Sequence, residues 1–262
     1  MGENNSSKIR VAPLGEFLLK HHSELNNLLD LLGCGEFDFG EFSNEDVLFS
    51  SVRRKEKSLN PSADHLEGIL HAICTQEDTN AFFTNSVKTA MQHGRLKQKN
   101  GEKRLEFAAG AISEEDAIQA VRAHNIWAKL ETASHPDLFI ENGNCILLVE
   151  GKLTERGTTR EVLYVPHRSQ MVRHIENTIE YLREKGEDKQ IIAFYILPEN
   201  FKSDISSLKQ KQAIVEDMDS ETVPLPDPIR EKIAAAYFGC TTWEAVSQKL
   251  GIEFSPIKPK LR

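Results

Sequence analysis

The feature that most constrains the fold is an amphipathic segment lying between two stretches too apolar to be anything but buried strands. One stretch covers 145–149 and the other 191–197. Between them four apolar residues recur at spacings of three, four and three: Val172, Ile175, Ile179 and Leu182. This spacing places all four on one face of a helix. With the helix and strands predicted upstream, the order is helix, three strands, helix, strand, which predicts a mixed α/β fold with helices on both faces of a sheet.

A second pair of strands is predicted just before this unit. The sequence Asn142-Gly143 is a strong hairpin turn, and it joins an apolar stretch at 138–140 to the strand at 145–149. Upstream, Ser113 with Asp116 three residues later is typical of a helix start, and that helix is predicted to end near Asn125. We also expect a strand over 126–132.

These patterns divide the 262-residue chain into three regions. Residues 1–104 are predicted to be a mainly helical N-terminal region, 105–204 an α/β core, and 205–262 a helical C-terminal extension. The boundary near 104 rests on the polar, basic stretch 94–104, which is flanked by glycine. In the extension, two short helices are predicted over 229–238 and 241–250.

Composition limits the class of protein. With 39% hydrophobic and 27% charged residues and no apolar run of membrane length, we expect a soluble globular protein without a membrane partner. No export signal is visible, and the four cysteines lie far apart without a CxxC pair. This pattern favours reduced thiols in the cytoplasm and argues against a structural zinc site.

Charge is distributed unevenly along the chain. The formal net charge is -8, of which residues 1–50 carry -6 through nine acids and three bases. In contrast, the window 151–175 contains five bases and two acids, for a net charge of +3. A local basic strip of this kind suits the steering of a phosphate backbone, whereas the overall charge alone does not indicate a nucleic-acid binder.

Three charged side chains are predicted to meet beside the hairpin. Glu150 and Lys152 share one face because side chains alternate along a strand, and the turn returns Asp137 to the same region. Two carboxylates, helped by the carbonyl of Gly151, offer hard oxygen ligands for Mg²⁺, and Lys152 could position or activate a water. The alternative is a salt bridge at a strand end.

The stretch Pro136-Asp137, followed after an apolar strand by Glu150-Gly151-Lys152, resembles the PD-(D/E)xK superfamily of restriction-endonuclease-like nucleases. The resemblance covers roughly residues 105–200. It implies a restriction-endonuclease-like α/β/α core with a mixed central sheet. It also implies that Asp137 and Glu150 bind metal and that Lys152 is the catalytic lysine.

The resemblance also implies an additional acid before the sheet and a polar residue on the following helix. For the acid we expect Glu115 first, with Glu114 and Glu131 as alternatives; for the polar residue we expect Gln170, at the helix start. The residues predicted to bind nucleic acid are Arg156, Arg160, Arg168, Arg173 and His174.

The sequence therefore predicts an endonuclease that depends on Mg²⁺, with Mn²⁺ as a substitute, and that acts on DNA rather than RNA. The alternative is a catalytically inactive module with the nuclease fold that binds nucleic acid or protein. A carboxylate-pair sugar hydrolase ranks last, since only 7% of residues are aromatic. A homodimer would suit cleavage of both strands, and residues 1–104 could contact a protein partner.

Overall fold

The computed structural model describes residues 10–34, 39–49, 56–153, 163–201 and 205–255. The helices in these ranges are α1 (Ala12–Leu18), α2 (Glu24–Asp30), α3 (Ala63–Thr75), α4 (Glu77–Gln92), α5 (Gln98–Ala108), α6 (Glu114–Arg122), α7 (Gln170–Lys185), α8 (Ile205–Leu208), α9 (Lys211–Asp219), α10 (Asp227–Ala236) and α11 (Trp243–Leu250). The strands are β1 (Val47–Phe49), β2 (Leu138–Glu141), β3 (Cys145–Gly151), β4 (Gln190–Leu197) and β5 (Tyr237–Thr242).

The five strands form one mixed sheet in the order β1-β2-β3-β4-β5. β1, β2 and β3 pair antiparallel, whereas β3, β4 and β5 pair parallel. The β2–β3 hairpin turns where predicted, because the Asn142 side chain accepts hydrogen bonds from the N–H groups of Asn144 and Cys145. Helix α7 makes the crossover that a parallel β3–β4 pair requires.

Helices cover both faces of the sheet. Leu147 and Val149 of β3 belong to a core formed with α1, α2 and α11. Ile146 and Leu148 face the opposite way, into a core formed with α7, α9 and α10. Every residue of β3 is buried, as its continuous apolar sequence requires. The predicted mixed α/β architecture is confirmed.

Helices α3 to α6 form a third apolar cluster beside the sheet. The predicted capping pair opens α6, since the Ser113 hydroxyl accepts a hydrogen bond from the Asp116 N–H at 3.1 Å. The helix ends at Arg122 rather than near Asn125, and His124 follows with a left-handed backbone at φ 55°.

The predicted strand over 126–132 is wrong. Arg104 of α5 is buried and takes the backbone carbonyls of this segment as partners. Its Nε donates to Trp127 O at 2.7 Å, and its Nη2 donates to Lys129 O at 2.9 Å and to Ile126 O at 3.3 Å. Consecutive carbonyls of a strand point to opposite sides, so Ile126 and Trp127 could not both face one guanidinium in a strand.

The C-terminal region also differs from the prediction. The expected helix over 229–238 ends at Ala236, and the next six residues form β5, so 205–262 is not purely helical. Strand β5 is short and contains Gly239 at φ 93°. Glycine is uncommon inside strands, so the sequence pattern does not indicate a strand here. The sheet thus takes strands from all three predicted regions, with β1 from the first and β5 from the last.

Among the described residues, no helix combines the length and the apolar character that crossing a membrane requires.

Candidate functional site

The site lies where β3 ends against the first turn of α7. Alternation at the end of β3 places Glu150 and Lys152 on one face, as predicted, and Gly151 on the other. The structure shows that Glu150 and Lys152 lie against α7. A Cβ on Gly151 would lie 2.6 Å from Val11 Cγ2 and 2.8 Å from Trp243 Cζ2. Two helices therefore pack against the back of the strand that carries the two charged residues.

Glu150, Lys152 and Gln170 form a connected buried chain. Lys152 Nζ donates to Glu150 Oε1 at 3.0 Å and to Gln170 Oε1 at 2.7 Å. Glu150 and Lys152 are each only 4% exposed. Burying two charges costs more solvation energy than a single ion pair usually returns, so stability alone does not account for this arrangement.

Asp137 closes the site from the neighbouring strand. The β2–β3 register pairs Leu138 with Val149, so one further step places Asp137 opposite Glu150. Opposed residues on an antiparallel pair have Cβ atoms about 5 Å apart. The carboxylate is anchored, because Asp137 Oδ2 accepts the N–H of Gly151 at 2.9 Å. The structure thus brings together Asp137, Glu150 and Lys152.

His174 contacts Glu150 instead of being available to nucleic acid. It is 2% exposed, and its Nε2 donates to Glu150 Oε2 at 3.2 Å. The prediction that His174 touches a nucleic-acid backbone does not fit this burial. Although burial alone would raise the pKa of Glu150, the hydrogen bond from His174 and the charge of Lys152 lower it, which keeps the carboxylate ionised at neutral pH.

The prediction that Arg168 binds nucleic acid also does not fit the structure. Its side chain is fully buried, and it pairs with Glu131 at 3.0 Å, Glu176 at 2.7 Å and Glu221 at 3.3 Å. A guanidinium enclosed by three carboxylates has no surface to offer a phosphate backbone. The sequence signal was a basic residue before a helix, and nothing in that pattern reveals the distant acids.

Arg173 joins the same buried charge cluster. Its Nε donates to Glu131 Oε1 at 2.8 Å, and its Nη2 donates to the carbonyl of Ala133 at 3.1 Å. Arg173 was predicted to contact a nucleic-acid backbone, but its guanidinium instead bonds to the protein segment that leads to Asp137. Because Arg168, Glu221 and Ser169 hold the start of α7, the cluster connects the elements that carry Asp137 and Gln170.

Glu131 and Glu115 occupy different environments. Glu131 is buried, and despite the opposing effect of burial the charge of Arg168 and the hydrogen bond from His65 lower its pKa. Glu115 is exposed on α6, whose apolar face packs within the third cluster and not on the sheet. The predicted role of Glu115 as a metal ligand is not supported by this position. Arg156 and Arg160 lie outside the described residues.

Sequence reasoning missed the contribution of the C-terminal tail. Trp243 is buried, and its Nε1 donates to the carbonyl of Lys152 at 2.7 Å. The sequence predicts only a short helix over 241–250 in this region. The sequence does show a tryptophan at the start of an amphipathic helix, which indicates burial. The spacing of residues does not indicate which strand the tryptophan contacts.

The oxygen donors of the site fit Mg²⁺ better than a softer metal. The carboxylates of Asp137 and Glu150 and the carbonyl of Gly151 are hard ligands. In the part of the chain that the structure describes, no three His, Cys, Asp or Glu side chains converge as a ready cage for a metal. A cation held by two carboxylates would keep several water ligands, as Mg²⁺ does in proteins.

Comparison with known proteins adds no identification. The fold is mixed α/β, but no protein-family model, curated protein or solved structure matches the chain significantly.

Proposed function

We propose that the protein is a Mg²⁺-dependent nuclease that hydrolyses phosphodiester bonds, with DNA as the substrate. The observation that carries the proposal is the buried chain from Glu150 through Lys152 to Gln170, with Asp137 on the adjacent strand. The proposal includes the restriction-endonuclease-like form of the α/β fold that the sequence motif suggests.

Asp137 and Glu150 would hold the metal, with the Gly151 carbonyl as a third donor. When bound, Mg²⁺ would neutralise phosphate charge and make a water more acidic. The N–H of Gly151 holds the Asp137 carboxylate in place before any ligand arrives. Such preorganisation avoids the cost of ordering the carboxylate during the reaction.

Lys152 and Gln170 would act on the water and the scissile phosphate. The ammonium of Lys152 donates hydrogen bonds to the Glu150 carboxylate and to the Gln170 amide oxygen. These two bonds fix the orientation of the ammonium group. Gln170 Oε1 accepts from Lys152, which leaves its amide N–H groups to donate to a phosphate oxygen. These two side chains would therefore position, and not merely attract, the reacting groups.

The experiment is divalent-dependent cleavage of supercoiled plasmid, measured beside binding of the same DNA. We expect cleavage with Mg²⁺ or Mn²⁺, none with EDTA, and loss of cleavage in Lys152→Ala and Asp137→Ala proteins whose circular dichroism is unchanged. Binding without cleavage under any divalent metal would instead identify the protein as an inactive binding module.

A further inference from the structure

Both carboxylate oxygens of Glu150 are held by different protein donors. Lys152 Nζ lies 3.0 Å from Oε1, and His174 Nε2 lies 3.2 Å from Oε2. All three side chains are at least 95% buried. The carboxylate is therefore fixed about its terminal torsion, with one acceptor position used on each oxygen.

His174 is itself held in place on α7. It lies one turn after Gln170, and its carbonyl accepts a hydrogen bond from Thr178 Oγ1 at 2.7 Å. One turn further on, Asn177 Nδ2 donates to Ser134 Oγ at 3.1 Å, which packs this face of α7 under the segment that leads to Asp137. These bonds fix the helix that carries His174, and the ring itself, only 2% exposed, has little room to turn away from Oε2.

The way a carboxylate coordinates differs between the two common hard cations. Ca²⁺ takes six to eight oxygen ligands and frequently uses both oxygens of one carboxylate. Mg²⁺ is smaller, requires octahedral geometry and is usually held through one oxygen of each carboxylate with several waters. A carboxylate whose two oxygens are already engaged by separate donors can give one oxygen to a cation more readily than both.

We propose that His174 is a positioning residue that restricts Glu150 to one-oxygen coordination and so favours Mg²⁺ over Ca²⁺. The proposal rests on the proposed metal site at Asp137 and Glu150 and goes beyond it, because it assigns cation selectivity to a residue that touches no cation. Partners that orient metal ligands commonly change metal affinity by about 10- to 100-fold when they are removed.

The test is isothermal titration of Mg²⁺ and of Ca²⁺ into the wild-type chain and three variants. His174→Leu removes the donor and should shift the Ca²⁺/Mg²⁺ affinity ratio toward Ca²⁺ by about tenfold or more. His174→Gln supplies an amide N–H near the position of Nε2 and should keep the ratio within about threefold of wild type. Tyr181→Phe, two turns along the same helix, removes a hydrogen bond to Glu141 and should leave the ratio unchanged.

A second variant keeps the test decisive if His174→Leu does not fold. Lys152→Met releases the other oxygen of Glu150 and should move the ratio in the same direction. An unchanged ratio in folded His174→Leu overturns the inference, and so does an unchanged ratio in Lys152→Met where His174→Leu does not fold. A wild-type chain that binds neither cation overturns it as well. If the ratio shifts as expected but DNA is never cleaved, the inference holds and the proposed nuclease function fails.

Discussion

The indole of Trp243 donates a hydrogen bond to the carbonyl of Lys152 at 2.7 Å. Trp243 begins α11, and Lys152 directly follows β3, so the tail of the chain fixes the backbone at the centre of the candidate site. The ring also packs against Phe254, with centroids 5.4 Å apart. The position of the lysine therefore depends on residues more than 90 positions later in the sequence.

Trp243→Phe tests this connection. The smaller ring keeps much of the apolar contact but leaves the buried carbonyl of Lys152 without its donor, which should lower the free energy of unfolding by about 1–3 kcal/mol. Trp127→Phe is the matched control, because Trp127 is also buried but belongs to the third cluster and not to the core that contains Trp243. Urea unfolding measures both, and equal losses would contradict the structural role of the hydrogen bond.

Gly151→Ala should destabilise the protein by about 1–3 kcal/mol through overpacking. The new methyl group would lie within 2.6 Å of Val11 and 2.8 Å of Trp243, and neither contact is tolerable without movement. Gly143→Ala provides the comparison, since nothing lies within 4 Å of a Cβ at that turn position. In thermal unfolding, Gly151→Ala should melt at a clearly lower temperature than Gly143→Ala. Similar melting temperatures would show that β3 and its neighbours move to accommodate the methyl group at little cost.

Arg168→Met should cost about 3–5 kcal/mol of stability, because it leaves buried carboxylates without their central partner. The exposed pair of Arg122 with Glu67, at 2.8 Å, is the contrast, and Arg122→Met should cost far less because water screens that pair. Denaturant titrations of both variants would measure the difference. A small loss for Arg168→Met would mean that the cluster does not hold α7 in place.

Glu221 should make stability depend on pH in an unusual direction. Burial raises the pKa of Glu221 from its ordinary 4.5 to about 7, although the charge of Arg168 opposes this. Between these values the folded chain keeps a proton that the unfolded chain releases. Stability therefore decreases as pH rises from about 4.5 to 7, by an amount on the order of 3 kcal/mol from this group.

Glu221→Gln should remove that decrease, because glutamine does not titrate. The comparison is the free energy of unfolding at pH 5 and at pH 7.5 in wild type and variant. The lowered pKa of Glu141, about 2, affects stability only below this window and is common to both proteins. Parallel pH profiles for the two chains would contradict the assignment.

The sequence predicted the hairpin, the crossover helix and the buried strands because each is determined by local periodicity and a specific turn. It also predicted that Asp137, Glu150 and Lys152 meet, because strand alternation and the Asn142-Gly143 turn fix their relative positions. β5 was missed because its six residues contain a glycine and pair with β4 only through long-range contacts.

The sequence could not predict which basic residues would be buried. Arg168 and Arg173 lie in a stretch with a net positive charge, which is typical of an exposed basic surface. Their acidic partners are distant in sequence, at 131, 176 and 221. The sequence predicts His174 on a polar helix face, but His174 contacts Glu150, and Asn177 on the same face bonds to Ser134. Whether a polar stripe faces water or a buried partner is decided by the packing of other segments.

The most direct measurement is single-turnover cleavage of a labelled DNA duplex in Mg²⁺ by wild-type protein, Asp137→Asn, Lys152→Met and Tyr181→Phe. We expect rates reduced by about 100-fold or more in Asp137→Asn and Lys152→Met and a nearly unchanged rate in Tyr181→Phe. Cleavage at the wild-type rate by folded Asp137→Asn or Lys152→Met, or cleavage that persists in EDTA, would contradict the proposed function.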